Sequence, residues 1–312
     1  MRVLVTGGSG YLGSAIVRAL ARRGHQPVSF SRHRSSSSAD FPTMAGDLRS
    51  RTDVESAVRQ CDAVCHTGAL VSLWRRRSRD FDDVNVEGTR HVIDACRAHR
   101  IVRAVYTASF LARPPAGRAT PLAANDYQRT KGAALALVRD AIGRGAPVVV
   151  LVPGVVYGPG PATEGNLVSR LLRDHLAGRL PGVIGADRQW SFSWVDDVAE
   201  AHVTALERGR IGAEYAVGGE NAPQMRMFEV ARAVTGRPLP WRLPAILIRA
   251  AGAVEELRAR IGGPPPLVTR GAAEIFGYDW PLDSQLAAAD LGYAPRALES
   301  GLRQVLDTLA GC

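Results

Sequence analysis

The sequence predicts an α/β protein: a doubly wound parallel sheet with helices on both faces, followed by a smaller, mainly helical lobe. Three observations lead to this fold class. Apolar strand runs and amphipathic helical runs alternate through the first half of the chain. A glycine-rich turn joins the first strand to the first helix. After Pro153 the alternation gives way to glycine- and proline-rich turns and short helices.

The composition is that of a compact protein with a sizeable core. Of 312 residues, 46% are hydrophobic and 22% charged, which excludes a disordered, collagen-like or coiled-coil chain. Four cysteines are too few for a secreted disulfide scaffold and lack zinc spacing, so we expect a cytoplasmic protein without a metal. We expect no signal peptide, and because no apolar run is long enough to cross a bilayer, we expect no membrane partner.

The charge of the chain is strongly basic but dispersed. The net charge of +9 comes from arginines spread along the whole sequence, so we expect a solvated basic surface and no nucleic-acid partner. Of the 39 basic residues only Lys131 is a lysine. That lysine is a candidate for a position where a guanidinium cannot do the chemistry.

The turn after the first strand has the spacing of a dinucleotide-binding site. Glycines at positions 7, 10 and 13 permit a tight turn, close approach to a pyrophosphate, and close packing of helix on strand. The helix N-terminus then presents N–H groups to the anion. The sequence therefore predicts a Rossmann-type domain whose cofactor contacts include Gly7, Ser9, Gly10, Tyr11, Leu12 and Gly13.

The end of the second strand indicates which dinucleotide is bound. NAD sites usually carry an acid there for the ribose 2′-hydroxyl. This chain has Arg32 and Arg34 and no acid in residues 30–34. Because a guanidinium pairs with a phosphate through two hydrogen bonds, we expect NADP, with NAD as the alternative.

Tyr127 and Lys131 lie four residues apart in a predicted helix and therefore share one face. A free tyrosine has a pKa of about 10, and a neighbouring ammonium should lower that pKa. We predict that Tyr127 transfers the proton while Lys131 lowers its pKa and holds the ribose. Chance placement is a poor explanation, because the chain has seven tyrosines and a single lysine.

Together with further segments, these motifs resemble the extended short-chain dehydrogenase/reductases, also called the NAD-dependent epimerase/dehydratase family. The resemblance covers most of the chain and includes residues 46–48, 62–69, 85–89, 107–109, 153–159 and 195–199. It implies that Ser109 holds the substrate oxygen, although the 109–127 connection is short for the family. It also implies a homodimer, and cofactor contacts from Asp47, Leu48, Thr67, Gly68, Ala69, Asn85, Tyr127, Lys131, Pro153, Val155 and Val156.

The substrate side of the site is predicted to be apolar. Relatives that act on nucleotide sugars usually carry an arginine where this chain has Trp190, and an indole cannot replace a guanidinium on a phosphate. Together with Trp74, Phe110 and Trp194, Trp190 suggests a small-molecule substrate that is apolar and cyclic. The alternative is that these aromatic residues form lobe core. The pattern is most similar to the dihydroflavonol-reductase-like and hydroxysteroid-dehydrogenase-like branches.

We therefore expect an NADPH-dependent carbonyl reductase or alcohol dehydrogenase in which Ser109, Tyr127 and Lys131 are catalytic. One alternative is a nucleotide-sugar epimerase or dehydratase that retains NAD; another is a non-catalytic NADP-binding sensor or scaffold. For the domains, we expect residues 1–157 to bind the nucleotide, with 192–220 rejoining them. Residues 158–191 and 221–312 would form the substrate lobe.

Overall fold

The structure, a computed structural model, describes residues 1–32, 41–160 and 163–310. Within these ranges seven strands form a parallel sheet whose spatial order is β10-β6-β5-β4-β1-β2-β3, numbered along the chain. The seven are β1 (Arg2–Thr6), β2 (Gln26–Ser31), β3 (Thr43–Ala45), β4 (Ala63–His66), β5 (Arg103–Thr107), β6 (Val148–Pro153) and β10 (Glu214–Val217). This arrangement confirms the predicted fold class.

Helices cover both faces of this sheet because its central strands are apolar on both sides. In β1, Val3 and Val5 face one layer and Leu4 faces the other. The first layer contains α1 (Tyr11–Arg22), α7 (Val195–Arg208) and α11 (Gln285–Leu291). The second contains α2 (Arg51–Val58), α4 (Gly88–Ala98) and α5 (Asp126–Gly143). A short α3 (Arg79–Phe81) and a π-helical turn (Asp82–Glu87) lead into α4.

The later part of the chain builds a smaller lobe on two minor sheets. One contains β7 (Val155–Tyr157), β9 (Gln189–Trp194) and β11 (Glu220–Pro223), in the order β11-β9-β7. The other pairs β8 (Gly182–Val183) with β12 (Trp241–Arg242). The remaining helices are α6 (Leu167–Leu176), α8 (Arg226–Thr235), α9 (Ala245–Arg260), α10 (Arg270–Phe276) and α12 (Leu298–Ala310).

The lobe is tied to the large sheet in two places. Strand β10 lies beside β6 in parallel register, and α11 packs in the same layer as α1 and α7. The exact boundaries given above for the two units stay a prediction. Among the described helices, none is long and apolar enough to cross a membrane.

Candidate active site

A cleft of about 530 Å³ opens at the carboxyl ends of β1 to β6. In a doubly wound sheet this edge is where ligands bind, because the strand-to-helix loops converge there. The cleft brings together most of the residues predicted from the sequence. They are Gly7, Ser9, Gly10, Tyr11, Leu12, Gly13, Arg32, Asp47, Leu48, Thr67, Gly68, Ala69, Ser109, Phe110, Tyr127, Lys131, Pro153, Val155, Val156 and Trp190.

Three other predicted residues, Asn85, Trp74 and Trp194, do not line the cleft, and a fourth, Arg34, falls outside the described ranges. Arg34 belongs to residues 33–40, of which the structure gives no account. Asn85 is buried behind the cleft wall, where its Oδ1 accepts a hydrogen bond from the Leu70 N–H at 2.7 Å. Its Nδ2 donates to Thr130 Oγ1 at 3.0 Å. Asn85 therefore anchors the loop after β4 to α5 and does not line the cleft. Trp74 does not line it either.

Trp194 requires a correction, because the structure places it in the lobe core and not in the substrate pocket. It is 1% exposed, and its ring meets Tyr157 edge-on at 5.4 Å. The Arg296 guanidinium covers the ring at 4.4 Å. The reason is strand geometry: Trp190 and Trp194 share one face of β9, but four residues separate them by roughly 13 Å along the strand.

The glycine turn forms a cradle that admits no side chain. Gly7 has a φ of +70°, and a Cβ there would lie 2.7 Å from the Gly68 Cα. A Cβ on Gly13 would lie 2.0 Å from the Gly7 carbonyl oxygen, so α1 packs directly on the turn. No described side chain caps α1, whose N-terminal residue is Tyr11 and whose N-cap is Gly10. These features fit a dinucleotide pyrophosphate lying over the helix N-terminus.

Cationic side chains gather at the adenine end of the predicted cofactor site. Arg32 lines the cleft where β2 ends. Asp47 accepts hydrogen bonds from the Arg49 guanidinium, with Nε 3.0 Å from Oδ2. This contact lowers the pKa of the Asp47 carboxyl, and the positive charges of Arg49 and Arg32 lower that pKa further. Sequence reasoning missed Arg49; its position two residues after the acid was the available signal.

The proton-transfer group lies where β5 ends. Asn125 caps α5 by accepting a hydrogen bond from the Gln128 N–H at 2.8 Å, which begins the helix just before Tyr127. The Ser109 hydroxyl lies beside the Tyr127 phenol. Burial raises the pKa of Tyr127, and the Ser109 contact lowers it only in part. This direction is opposite to the one predicted from the Tyr–Lys spacing.

Lys131 forms part of the cleft floor and is 5% exposed. Its Nζ donates to the Thr107 carbonyl oxygen at 2.8 Å and lies 5.1 Å from the centre of the Tyr106 ring. Burial lowers its pKa from 10.5 to about 8, because desolvation disfavours the ammonium. The lysine therefore remains mostly charged at pH 7 in spite of its burial.

Two buried histidines support this floor. His66 lies between Thr6 and Thr89, with ring-to-hydroxyl distances of 2.6 and 3.0 Å. Burial, aided by the charge of Lys131, lowers its pKa to about 3, so the ring is neutral. His202 Nδ1 lies 2.7 Å from the Val198 carbonyl oxygen, which assigns the proton to Nδ1. Its Nε2 can then accept from the Thr107 hydroxyl at 2.8 Å.

The opposite wall of the cleft is aromatic. The Trp190 ring lies 4.7 Å from Phe276 and 5.9 Å from Phe110, and its Nε1 donates to the Tyr278 carbonyl oxygen at 3.3 Å. Phe276, Ile275 and Ala272 come from α10, which no sequence motif marked. Arg188 pairs with Asp279 at 3.1 Å and does not line the cleft, whereas Arg170 of α6 does.

The fold and the site together define an NAD(P)-dependent short-chain dehydrogenase/reductase of the extended type. The chain belongs to the NAD dependent epimerase/dehydratase family, whose model matches residues 3–218. It is 32% identical to the 2-alkyl-3-oxoalkanoate reductase of Stenotrophomonas maltophilia, over 98% of each chain. It is also 30% identical to the 3-beta-hydroxysteroid dehydrogenase of Mycolicibacterium neoaurum, over 94% of this chain and 87% of the relative.

Solved structures share the whole fold. The crystal structure of gox2253 superposes with a TM-score of 0.83 at 27% identity, over 99% of this chain and 98% of the other. The UDP-glucose 4-epimerase of Thermus thermophilus, in complex with NAD, superposes with a TM-score of 0.76 over all of both chains. At 24% identity the second likeness shows the fold alone. The enzyme class is therefore an oxidoreductase acting on keto or hydroxy groups.

Proposed function

We propose that the protein is an NADPH-dependent carbonyl reductase, or the corresponding alcohol dehydrogenase, for ketones or aldehydes with an apolar body. The observation that carries this proposal is the position of Tyr127 and Ser109. Both line one cleft with the glycine cradle and with an aromatic wall containing Trp190. A carbonyl hydrogen-bonded to these two hydroxyls would be within reach of both a dinucleotide and an apolar surface.

The cofactor would be NADP held at three places. The turn at residues 7–13 would bind the pyrophosphate, and Arg32 the 2′-phosphate. Lys131 would reach the ribose hydroxyls. The nicotinamide, when bound, supplies the hydride. Arg49 supports NADP over NAD, because its ion pair with Asp47 offsets a carboxylate that would otherwise repel a phosphate beside Arg32.

Tyr127 would serve as the proton donor and Ser109 as the hydrogen-bond partner of the substrate oxygen. Because burial raises the pKa of the phenol, Tyr127 is protonated at neutral pH and ready to give its proton to a developing alkoxide. Oxidation of an alcohol needs the phenolate instead. We therefore expect carbonyl reduction to be favoured near neutrality and alcohol oxidation to improve at alkaline pH.

The substrate would carry its carbonyl on an apolar chain or ring. Phe110, Trp190 and Phe276 provide the contact surface, while Arg188 is engaged with Asp279 outside the cleft. The two relatives named above act, by their names, on a 2-alkyl-3-oxoalkanoate and a 3-beta-hydroxysteroid. Arg170 lines the same cleft and could pair with a carboxylate, so oxoalkanoates belong among the test substrates.

The decisive assay follows absorbance of the reduced cofactor while the protein is incubated with NADPH and aromatic, steroidal and aliphatic ketones, including 3-oxoalkanoates. A carbonyl reductase consumes one NADPH for each alcohol formed. Interconversion of UDP-sugars without net cofactor consumption would instead indicate an epimerase. Cofactor binding with no turnover on any substrate would indicate a sensor or scaffold.

The Tyr127→Phe variant tests the proton donor directly. Losing general-acid catalysis should lower turnover roughly 10²- to 10⁴-fold while leaving NADPH affinity, measured by fluorescence titration, nearly unchanged. The matched control is Tyr278→Phe, which removes a hydroxyl 3.4 Å from Arg118 Nη1. Ordinary turnover in Tyr127→Phe would end the assignment.

A further inference from the structure

Helix α9 exposes an apolar face that packs against no described part of the chain. On its inner side Gly252, Glu256 and Ala259 are buried. On its outer side Ile246, Leu247, Val254, Leu257 and the following Ile261 are between 62% and 79% exposed. Ile246, Val254, Leu257 and Ile261 recur at helical spacing, so they form one stripe. Trp241, before the helix, and Leu267, after it, are 79% and 90% exposed and add apolar surface in the same segment.

The charges around this stripe have one dominant sign. Residues 237–270 contain six arginines and two acids, so basic groups prevail even though Arg242 pairs with Asp187 and Arg249 lies 3.9 Å from Glu274. The glutamates of α9 are ion-paired within the segment, Glu255 with Arg258 at 2.6 Å and Glu256 with Arg270 at 2.9 Å. At about 100° per residue, Arg249 and Arg260 border the stripe on one side and Arg258 on the other.

In contrast to the expectation from the sequence that the protein has no membrane partner, we propose that this face, the α9 face (Trp241, Ile246, Leu247, Val254, Leu257, Ile261 and Leu267), docks on an anionic lipid surface. An apolar stripe bordered by arginines matches a helix that lies in the headgroup plane, with its apolar side chains inserted and its cations among lipid phosphates. Trp241 suits the same interface, since indole is apolar with one polar edge. The helix is not long and apolar enough to span a bilayer.

Charge complementarity favours lipid over a second copy of this chain. A two-fold contact through the α9 face would place its arginines near those of the partner copy, where like charges repel. A bilayer containing acidic lipids offers both an apolar layer and negative charge. Exposed apolar surface of this extent is uncommon on a monomer without such a function.

Helix α9 packs on a helix that lines the cleft, which links the docking to the active site. A Cβ on Gly252 would lie 2.8 Å from the Arg270 backbone nitrogen, so α9 packs tightly on α10. Three residues of α10, Ala272, Ile275 and Phe276, line the cleft. Docking would therefore bring the substrate wall close to lipid, where apolar ketones concentrate. This last step rests on the proposed function; the docking itself does not.

The test is co-sedimentation of the full chain, without cofactor or substrate, with vesicles of phosphatidylcholine alone or mixed equally with phosphatidylglycerol. We expect binding to the mixed vesicles that weakens as salt is raised, because salt screens the arginines. Leu247→Glu combined with Leu257→Glu should weaken binding at least about tenfold. The matched control is Val102→Glu with Ile211→Glu, which adds the same charge at residues that are 68% and 54% exposed elsewhere.

Light scattering and NADPH oxidation with a water-soluble ketone complete the test. The α9 variant should keep the wild-type oligomeric state and reductase rate, which separates lost docking from misfolding. Absence of wild-type binding to mixed vesicles at low salt would overturn the proposal, as would equal binding by both double variants. A different result is that the wild type forms an oligomer and fails to bind vesicles, with the oligomer lost only in the α9 variant. That result would overturn the proposal in favour of a self-association surface. Because sedimentation needs no turnover, failure of docking and failure of the reductase assignment are distinguishable.

Discussion

The two sides of the cleft are built in different ways. The cofactor side is mainly backbone: Gly7 and Gly13 approach their neighbours so closely that a single Cβ would collide with main-chain atoms. The substrate side is made of large side chains, Phe110, Trp190 and Phe276, drawn from three distant segments. The first side tolerates almost no added atom. The second can exchange one ring for another, so it is the side on which substrate preference can change without loss of the fold.

The largest effect that we predict is that of Gly13→Ala, on the cofactor side of the cleft. Its Cβ would lie 2.0 Å from the Gly7 carbonyl oxygen, so the turn must move. We expect NADPH affinity to fall at least roughly 100-fold and stability by about 1–3 kcal/mol. The control is Gly132→Ala in α5, where a Cβ meets nothing within 4 Å and should stabilise the helix by about 0.5–1 kcal/mol. Normal NADPH affinity in Gly13→Ala would show that the cradle is less rigid than we infer.

Lys131→Met removes the buried ammonium on the cofactor side of the cleft and should change the stability of the protein. A pKa lowered from 10.5 to about 8 corresponds to a folding cost of roughly 3 kcal/mol at pH 7. The variant should therefore be more stable than wild type at pH 7, but inactive. Between pH 8 and 10.5 Lys131 is protonated in the unfolded chain and largely deprotonated in the folded chain. The free energy of unfolding of the wild type should therefore rise with pH, and its difference from that of the variant should close.

Urea denaturation of wild type and Lys131→Met at several pH values measures this gap. Tyr127→Phe serves as the reference, because it removes no group that is charged at pH 7. A variant less stable than wild type at pH 7 would mean that the contacts with Thr107 and Tyr106 outweigh the desolvation of the ammonium.

Arg32→Glu tests the cofactor preference on the same side. Replacing a guanidinium by a carboxylate should weaken NADPH binding by roughly 30-fold and leave NADH binding nearly unchanged, because only NADPH carries the 2′-phosphate. Arg18→Glu makes the same charge change on the exposed face of α1, outside the cleft. Equal losses for both cofactors in Arg32→Glu would contradict the NADP assignment.

The smallest effect that we predict is a difference in KM between variants of two buried tryptophans, Trp190 and Trp194. Trp190→Phe should raise the KM for bulky ketones roughly 3- to 10-fold, because the ring lines the cleft. Trp194→Phe should leave KM unchanged and lower stability by about 1–2 kcal/mol, because that ring packs against Tyr157. Steady-state kinetics and thermal unfolding on both variants decide the matter. A KM change in Trp194→Phe alone would reverse our assignment of the two residues.

The same contrast explains what the sequence could and could not predict. The glycine turn and the Tyr127–Lys131 pair are local patterns, so their spacing carries their geometry. The direction of the Tyr127 pKa depends on burial by distant segments, which no local pattern reports. Trp190 and Trp194 look equivalent in sequence, yet only the first reaches the cleft. Phe276 belongs to no motif, and its role depends on contacts with Trp190 that are made only in the folded chain.

The solitary lysine also has a practical consequence for handling the protein. Lys131 carries the only ε-amino group in the sequence, and its pKa of about 8 makes a reactive free amine available under mildly alkaline conditions. Amine-directed acylation or reductive alkylation, read out apart from the α-amino group of Met1, would therefore report on a single lysine. A bound dinucleotide should shield that site, so the labelling rate would measure cofactor occupancy without any engineered tag.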